Sequence, residues 1–526
     1  MKKTMKQHSF VSRLKSLALV FGIVLAFVSC ANEDTVQNPN GTDNNKNFTI
    51  FSTGDPGTRT SMESNGAFYW EAGDKIWVKD DTGAWQQSRN APTEKTASFK
   101  FEVPGEFTKT NTYKVYYPGK NGNKNQVAIA ANQSQAKPNT TTHFGTSGDC
   151  GMADAAWSNS KKGFAFTLDH KAAYLLFLPR TSNTILHNCY LTKVEVNSDN
   201  DITSTYTLNP TTGELTGTGT GKQIIVSTRG SGTYTYGFPL TNNATSAATN
   251  GAYAVIKPGV HTLKIRYWVS DVATSTQGTI TKTLSSASYD QNKYYNITAN
   301  LDVKNYDGDH YYMWDAQEQF WKGHEWNLGG SQPTLSYGFT GATTSNDYAK
   351  SNTDSRYYNE YYPGYGVSNP ATHTSCKDLP NVNEMTWYAA KGEPRWDANE
   401  LWTTMGHLYK GGMWFKKKSV LLAEGHYNTE KSVDGSDWRT NGNNNSWSVS
   451  QTLPSAADAN NYFYLPALGS YDSDQLYNIC NVGFYWSSSA FPLFSDNAYR
   501  LYFTSGFVAV NNYSSGGGYR VEPTFE

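Results

Sequence analysis

A strand–turn–strand pattern near the carboxyl end most constrains the fold of this 526-residue chain. Apolar and aromatic side chains alternate along two short segments there, as in a strand that buries one face. The alternating positions are Tyr499, Leu501 and Phe503 in the first segment and Phe507, Ala509 and Asn511 in the second. Ser505-Gly506 between them is typical of a tight hairpin turn. The pattern predicts a buried β-hairpin.

Composition extends this prediction to the whole chain. Aromatic residues make up 14%, with 36 Tyr and 15 Trp, whereas only 17% of residues are charged. Aromatic residues favour strands, and the 45 Gly suit the turns between them, so we predict a mainly β protein of about three domains. The formal net charge is -1, which provides no long-range attraction for a polyanion, and no nucleic-acid partner is predicted.

The last 222 residues carry a series of short motifs in a specific order. The series is Tyr464-Leu465-Pro466, then Gly483–Ser489 (GFYWSSS), then Ala498–Asn512 (AYRLYFTSGFVAVNN), then Gly518–Pro523 (GYRVEP). It resembles the bacterial FISUMP domain, whose fold is C-type-lectin-like. The resemblance implies an α+β domain over 305–526 that acts as a non-catalytic binding module.

The amino terminus has the pattern of an export signal. Basic residues precede an apolar run from Leu17 to Val28, which is too short to span a bilayer comfortably. Residues 27–30 (FVSC) resemble a lipobox, and Glu33-Asp34 resembles the surface-export signal of Bacteroides-type lipoproteins. The resemblance implies that signal peptide 1–29 is removed, that Cys30 is lipidated, and that the protein is anchored on the outer membrane. An ordinary signal peptide with a chance Cys is the alternative. Polar residues 30–47 are predicted to be a flexible tether.

From Phe48 onward, short apolar segments recur at the spacing of a β-sandwich. Three of its segments form a second resemblance: Thr58–Ser61 (TRTS), Trp70–Ile76 (WEAGDKI) and Phe166–Leu175 (FTLDHKAAYL). They resemble the amino-terminal domain of the fimbrillin family, which implies two β-sandwich domains, here placed at 48–190 and 191–304.

In polymerising fimbrillins, cleavage after an Arg removes a strand, and the resulting groove accepts a strand from another subunit. The resemblance places that cleavage at Arg59 in this chain. The alternative is that Arg59 is a surface residue in a turn. The partners implied are other pilus subunits, joined by strand addition.

The segment 262–269 alternates apolar side chains (Leu263, Ile265, Tyr267, Val269) with Thr262, Lys264, Arg266 and Trp268. The alternation predicts a strand with one buried face and one solvated face. Farther on, three pairs of residues have the spacing of a helix cap followed by an acid: Asp315 with Glu318, Asn381 with Glu384, and Asp397 with Glu400. Each pair predicts a helix start.

No arrangement of residues indicates catalysis or a cofactor. His324-Glu325 lacks the second His of a zinc protease helix, and no metal site is predicted. Asp472, Asp474 and Asp496 could ligate calcium only by residue type. Cys150, Cys189, Cys376 and Cys480 have no zinc-site spacing, and their pairing cannot be assigned; structural disulfides and free buried thiols are both open.

Four tryptophans in the last domain, Trp387, Trp396, Trp402 and Trp414, could form an aromatic platform for a ligand, although core packing is the competing interpretation. The interpretation we favour is a surface-exposed, fimbrillin-like lipoprotein that acts in cell adhesion as a pilus-associated tip subunit, with an unknown host protein or glycan as ligand. The alternative is a surface lipoprotein that binds glycans for polysaccharide capture.

Overall fold

The chain folds mainly as β-strands, as its composition predicts. A computed structural model describes residues 48–53, 61–62, 68–306, 310–325, 327–328, 334–335, 354, 356, 370–472, 475–522 and 525. The predicted signal peptide and tether lie outside these residues.

The first group of elements comprises β1 (Thr49–Thr53), β2 (Ser61–Met62), β3 (Phe68–Tyr69), β4 (Trp77–Lys79), β5 (Trp85–Gln87), β6 (Lys100–Val103), β7 (Tyr113–Tyr117), β8 (Gln126–Ile129), β9 (Asn132–Ser134), α1 (Phe144–Ser147), β10 (Gly151–Ser158), β11 (Gly163–Phe166) and β12 (Asp169–His170). One sheet has the order β5-β4-β7-β10-β11-β1-β6. Its buried face forms an aromatic-rich core that includes Phe51, Trp70 and Phe164. The aromatic strands of this region therefore share one core.

The second group comprises β13 (Ala173–Arg180), β14 (Cys189–Ser198), β15 (Ser204–Leu208), β16 (Leu215–Thr216), β17 (Gln223–Ser227), β18 (Phe238–Pro239), α2 (Ala247–Asn250), β19 (Ala252–Ile256), β20 (Gly259–Asp271), β21 (Gln277–Tyr289) and β22 (Tyr294–Asn300). The sheet β19-β13-β22 packs against β20, β14 and β17 across one hydrophobic core. Phe177 of β13 meets Tyr267 of β20 with ring centroids 6.2 Å apart. These two sheets form a β-sandwich.

Strands from the predicted domains 48–190 and 191–304 pair with one another. β13 pairs with β19 and β22, β8 pairs with β15, and β9 pairs with β17. The sheets thus cross the boundary that the sequence places at 190, and this boundary stays a prediction, as does the one at 304.

The third group comprises β23 (Tyr311–Tyr312), β24 (Thr334–Leu335), α3 (Val382–Lys391), β25 (Arg395–Thr404), β26 (His407–Lys416), α4 (Lys418–Ala423), α5 (Trp438–Asn441), β27 (Asn445–Ser448), β28 (Tyr462–Pro466), β29 (Ser470–Asp472), β30 (Gln475–Tyr477), β31 (Gly483–Ala490), β32 (Asn497–Phe503), β33 (Phe507–Ser514) and β34 (Tyr519–Arg520). One sheet has the order β23-β34-β31-β32-β33-β27. The hairpin predicted around Ser505-Gly506 is confirmed as β32 and β33, which pair antiparallel, and Tyr499, Leu501 and Phe503 face the core. In β33 the core residues are Val508 and Val510 rather than the predicted set of Phe507, Ala509 and Asn511.

The helix predicted to start at Asn381 is confirmed as α3. The Asn381 side chain accepts a hydrogen bond from the Glu384 amide at 3.1 Å, and the Glu384 carboxylate accepts one from the Asn381 amide at 2.8 Å. These reciprocal bonds form a capping box. The helix ends where the Gly392 amide donates to the Tyr388 carbonyl at 3.0 Å, so the local signal alone was sufficient here.

The helix predicted to start at Asp397 is wrong, because residues 395–404 form strand β25. β25 and β26 are joined by Met405-Gly406, where both φ angles are positive (48° and 73°), as a type I′ hairpin turn requires. The two acids that suggested a helix cap bind distant residues: Asp397 accepts from Arg266, and Glu400 accepts from the Thr281 amide. Tertiary contacts override the local cap signal.

The helix predicted to start at Asp315 is also wrong, since the described residues after β23 form turns and bends. Asp315 has a left-handed φ of 57°, which a helix N-cap does not adopt. Its carboxylate instead accepts the backbone amides of Thr372 at 2.8 Å and His373 at 2.7 Å. The Asp315 carboxylate therefore holds the backbone at Thr372 and His373 instead of capping a helix.

The face of β20 that is predicted to be solvated is covered at Lys264 and Arg266, whereas Thr262 and Trp268 stay partly exposed. Leu263, Ile265, Tyr267 and Val269 are fully buried as predicted, but Lys264 and Arg266 are only 8% and 6% exposed. Arg266 Nη2 donates to both Asp397 carboxylate oxygens at 3.0 Å, and Lys264 Nζ donates to the Pro454 carbonyl. β21 and β25 join at one parallel pair, Thr279 with Glu400. Residues from the last third of the chain thus dock on β20 and β21.

Replacement of Glu400 by Gln is expected to make the protein less sensitive to pH. Burial, and next the charge of Asp397, raise the pKa of Glu400 to about 7, above the value of about 4.3 expected in the unfolded chain. The folded state therefore binds more protons between these pKa values, and this carboxyl favours folding at low pH and loses that contribution as pH rises towards 7.

The measurement is urea unfolding of wild type and Glu400→Gln across about pH 5 to 8. The variant should gain stability relative to wild type as pH rises. Glu106→Gln, at an exposed position, serves as the control and should parallel wild type. A constant offset between wild type and Glu400→Gln would contradict the prediction.

Candidate functional site

Strand β1 occupies an interior position in the first sheet. It pairs in parallel with β11, Phe51 lying opposite Phe164, and antiparallel with β6, Phe51 lying opposite Phe101. Both edges of β1 are thus hydrogen-bonded. If β1 were removed, β6 and β11 would each expose an unpaired edge, which is a template for an incoming strand.

Phe51 anchors β1 in the core. Its side chain is fully buried, and its ring centroid lies 5.0 Å from Phe164, 5.1 Å from Phe107 and 6.4 Å from Tyr113. The Phe164 ring is stacked and the other two contacts are edge-on, geometries that aromatic rings prefer. Phe51 therefore fills an aromatic pocket formed by three rings of the first core.

Backbone contacts also fix the position of β1 between β6 and β11, and we call this position the seat of β1. A side chain at Gly163 would place its Cβ 2.6 Å from the Ile50 carbonyl oxygen, which is closer than atoms can approach. Thr53, the last residue of β1, is bonded twice to Phe99. Its amide donates to the Phe99 carbonyl at 3.1 Å, and its hydroxyl accepts from the Phe99 amide at 2.9 Å. Glycine at 163 is needed for β1 to lie against β11.

Charged groups line the rim of this seat. The Tyr113 hydroxyl donates to Asp81 at 2.5 Å; this bond is the main cause that lowers the pKa of Asp81, while burial raises the pKa of Tyr113. Arg89 lies over the Phe48 ring at 3.8 Å and pairs with Glu102 at 3.0 Å. The seat combines an apolar centre with a polar edge.

Two of the residues singled out by sequence, Cys30 and Arg59, lie outside the described residues. Their roles in lipidation and cleavage stay predictions. Sequence analysis identified short apolar segments from Phe48 onward, but it missed the residues that contact β1, which are Phe107, Gly163 and Phe164. The alternation in Gly163-Phe164-Ala165-Phe166 is the signal that could have indicated β11.

The four candidate tryptophans do not form one exposed surface. Trp402 and Trp396 are 1% and 8% exposed, as the core-packing interpretation predicts. Trp387 is half-buried on α3 and donates to the Lys431 carbonyl, whereas Trp414 is half-buried on β26 and donates to Asp397 at 3.2 Å. Trp387 and Trp414 alone keep enough exposure to contact a ligand directly.

The four cysteines in the described part of the chain are free thiols, and Cys150, Cys189 and Cys376 are buried. Burial raises the pKa of Cys189 and Cys376 to about 12, so these thiols stay protonated and unreactive at neutral pH.

Within the described residues, no group of three or more His, Cys, Asp or Glu could hold a metal ion. Asp472 and Asp496 belong to that part of the chain, whereas Asp474 lies outside it. No helix among the residues the structure describes is long and apolar enough to cross a membrane.

No protein-family model matches this sequence, and no curated protein matches it. Similar solved structures include a candidate cell adhesion protein from Bacteroides ovatus, at 16% identity and TM-score 0.29, covering 48% of this chain and 93% of that one. The fimbrial anchor protein Mfa2 from Porphyromonas gingivalis is 11% identical with TM-score 0.21, covering 45% and 82%. A fimbrial protein from Bacteroides ovatus is 11% identical with TM-score 0.24, covering 90% and 98%.

Proposed function

We propose that the protein is a surface-exposed, lipid-anchored adhesion protein that joins a pilus as its tip subunit. The observation that carries this proposal is the position of β1, an interior strand at the amino-terminal end of the described chain. Such a strand can be exchanged for one from another subunit without changing the rest of the sheet.

Cleavage at Arg59 would couple processing to assembly. Arg59 follows β1 in the sequence and precedes β2, so a cut after it would detach β1 from the remaining chain. The open seat between β6 and β11 would then accept a donor strand, whose backbone supplies hydrogen bonds and whose anchor residue fills the pocket of Phe51. Cys30 would be lost with β1, releasing the chain from its lipid anchor.

The tip position is proposed on grounds of architecture. Residues 305–526, which resemble a lectin-like binding module, fit the end of a fibre better than its repeating shaft. The chain would then offer its seat for β1 to the neighbouring subunit and present its carboxyl-terminal region to the ligand.

Mass spectrometry of the mature amino terminus tests this proposal. Chains from shed surface fibres should begin at Thr60, whereas unassembled chains in membranes should begin at a lipidated Cys30. Arg59→Ala should abolish the Thr60 start and the incorporation into fibres, because the site for a trypsin-like protease is lost. The protein should also occur at low copy number per fibre.

Lys95→Ala, which removes another basic residue, is the matched control and should be processed and assembled as wild type. Fibres whose chains all begin at Cys30 would contradict cleavage and strand exchange, and a protein recovered only as a monomer would contradict pilus assembly.

Glycan capture without polymerisation is the second candidate function. It is favoured by the partly exposed Trp414, which lines a cavity of about 220 Å³ together with Lys417 and Tyr462. A chain that binds polysaccharide but keeps its lipidated Cys30 and is never found in fibres would support it, whereas chains that begin at Thr60 in fibres would support the pilus.

A further inference from the structure

One face of the sheet formed by β31, β32 and β34 carries aromatic side chains around an arginine. On β31 and β32 the apolar residues Tyr485, Leu501 and Phe503 face the core. The opposite face carries a second apolar cluster, in which Phe484 and Tyr519 are buried and the partly buried Tyr502 stacks on Phe484 at 5.1 Å. This aromatic face is not explained by the proposed assembly.

A cavity of about 610 Å³ opens over this face, within the size range of small-molecule sites. Its walls include Phe484, Arg500, Tyr513 and Tyr519, and its rim includes Asp472 and Ser514. Tyr519 stacks on Phe484 at 4.9 Å, and Tyr513 is 45% exposed. Apolar ring faces with a few polar groups are the composition of a binding pocket.

Arg500 lies at the centre of these rings. Its guanidinium carbon is 4.3 Å from the Tyr513 ring centroid and 4.9 Å from both Phe484 and Tyr519. Nε donates to Asn511 at 3.0 Å, and Nη1 donates to the Tyr519 hydroxyl. These bonds hold the guanidinium in one orientation and leave the second Nη1 proton and both Nη2 protons without an acceptor among the described residues.

The charge of Arg500 has no carboxylate partner among the described residues, although the side chain is only 7% exposed. Two other buried arginines differ in this respect: Arg266 pairs with Asp397 at 3.0 Å, and Arg520 lies 3.8 Å from Glu522. Burying a cation without an anion is costly. Arg500 therefore gives the lining of this cavity a positive charge that has no carboxylate counter-charge among the described residues.

We propose that this pocket binds an acidic sugar, a pyranose whose carboxylate pairs with Arg500. The free Nη1 and Nη2 protons form the fork that matches a carboxylate in a bidentate pair. The aromatic rings, Tyr513 above all, offer flat apolar faces to the C–H face of the pyranose. Asp472 and Ser514 at the rim accept hydrogen bonds from sugar hydroxyls.

An acidic sugar would be the ligand of the proposed adhesion protein. The proposal rests on that function only for the biological role of the pocket, not for its chemistry. The pocket belongs to the sheet of β31–β34, whereas β1 belongs to the first sheet. Sugar binding and strand exchange can therefore be lost independently of each other. The mass of the mature amino terminus reports on strand exchange and not on sugar binding.

The experiment measures binding of the full chain to a glucuronic-acid-containing tetrasaccharide by calorimetry. The comparison ligand is the same tetrasaccharide with its carboxyl groups reduced to alcohols. The acidic form should bind at least about tenfold more tightly, because only it can pair with the guanidinium. Arg500→Met, which keeps side-chain length and removes the charge, should bind the two forms equally weakly.

If Arg500→Met fails to fold, Tyr513→Ala still tests the proposal, because Tyr513 is 45% exposed and its removal leaves the core intact. It should weaken binding of the acidic form about tenfold. Tyr236→Ala removes another exposed tyrosine, 53% exposed and outside the pocket, and should bind as wild type. Equal affinity for the acidic and reduced sugars, no binding of either, or full binding by Tyr513→Ala would each overturn the proposal.

Discussion

Replacement of Asp397 by Ala is expected to destabilise the contact between β20 and β25 by about 3–5 kcal/mol. Arg266 and Asp397 are 6% and 2% exposed, and Arg266 Nη2 donates to both carboxylate oxygens at 3.0 Å. The substitution leaves the guanidinium charged and buried, and its Nε already has no partner among the described residues. The cost is that of a buried guanidinium that has lost its ion-pair partner.

Amide hydrogen exchange measures this loss locally, as a fall in protection along β20, β21 and β25. Asp154→Ala is the matched control, because Asp154 pairs with Lys114 at 2.8 Å on the surface, where such pairs contribute about 0–1 kcal/mol. The double change Arg266→Met with Asp397→Leu should recover most of the protection, since it removes both charges. Protection equal to wild type in Asp397→Ala would contradict the prediction.

Replacement of Phe51 by Ala should lower the stability of the first sheet by about 3–5 kcal/mol. Phe51 is fully buried among Phe107, Tyr113 and Phe164, so the truncation opens a cavity that the surrounding rings cannot fill. Hydrogen exchange along β1, β6 and β11 measures the effect. Phe494→Ala, at a position 57% exposed, should change protection by about 0.5 kcal/mol or less.

The Phe51→Ala substitution also distinguishes the uncut monomer from the chain assembled in a fibre. In the uncut monomer its cost should be fully present, because β1 fills its own seat. In a fibre whose subunits have exchanged β1 for a donor strand, the cost should vanish, because residue 51 is no longer part of the sheet. An equal loss of protection in monomer and fibre would show that β1 stays in place.

Sequence patterns predicted local structure correctly where the interacting residues lie close together in the chain. The capping box of Asn381 and Glu384 and the β32–β33 hairpin both formed as predicted, because their contacts span a few residues. The same cap spacing failed at Asp397 and Asp315. Those carboxylates bind Arg266, 131 residues away, and the amide of Thr372, 57 residues away, which local spacing cannot anticipate.

The solvated face predicted for β20 was wrong at Lys264 and Arg266 for a related reason, and Trp402 follows the core-packing interpretation. Alternation says which side chains share a face, but it cannot say what covers that face. Residues 395–462 cover Lys264 and Arg266 on β20, and Trp402 packs against Tyr409 at 5.1 Å instead of facing solvent. The Arg500 pocket escaped sequence analysis because its residues come from β31, β32, β33 and β34.

The sequence by itself determined the mainly β character, the short strands that follow Phe48, the α3 cap and the carboxyl-terminal hairpin, because alternation, turn residues and cap spacing act over a few residues. Only the tertiary structure decided that β1 lies between β6 and β11, that Asp397 and Glu400 serve a strand rather than a helix, and that four aromatic rings surround Arg500. These arrangements depend on strand pairing and burial between distant segments, and their free energy appears only when the sheets assemble.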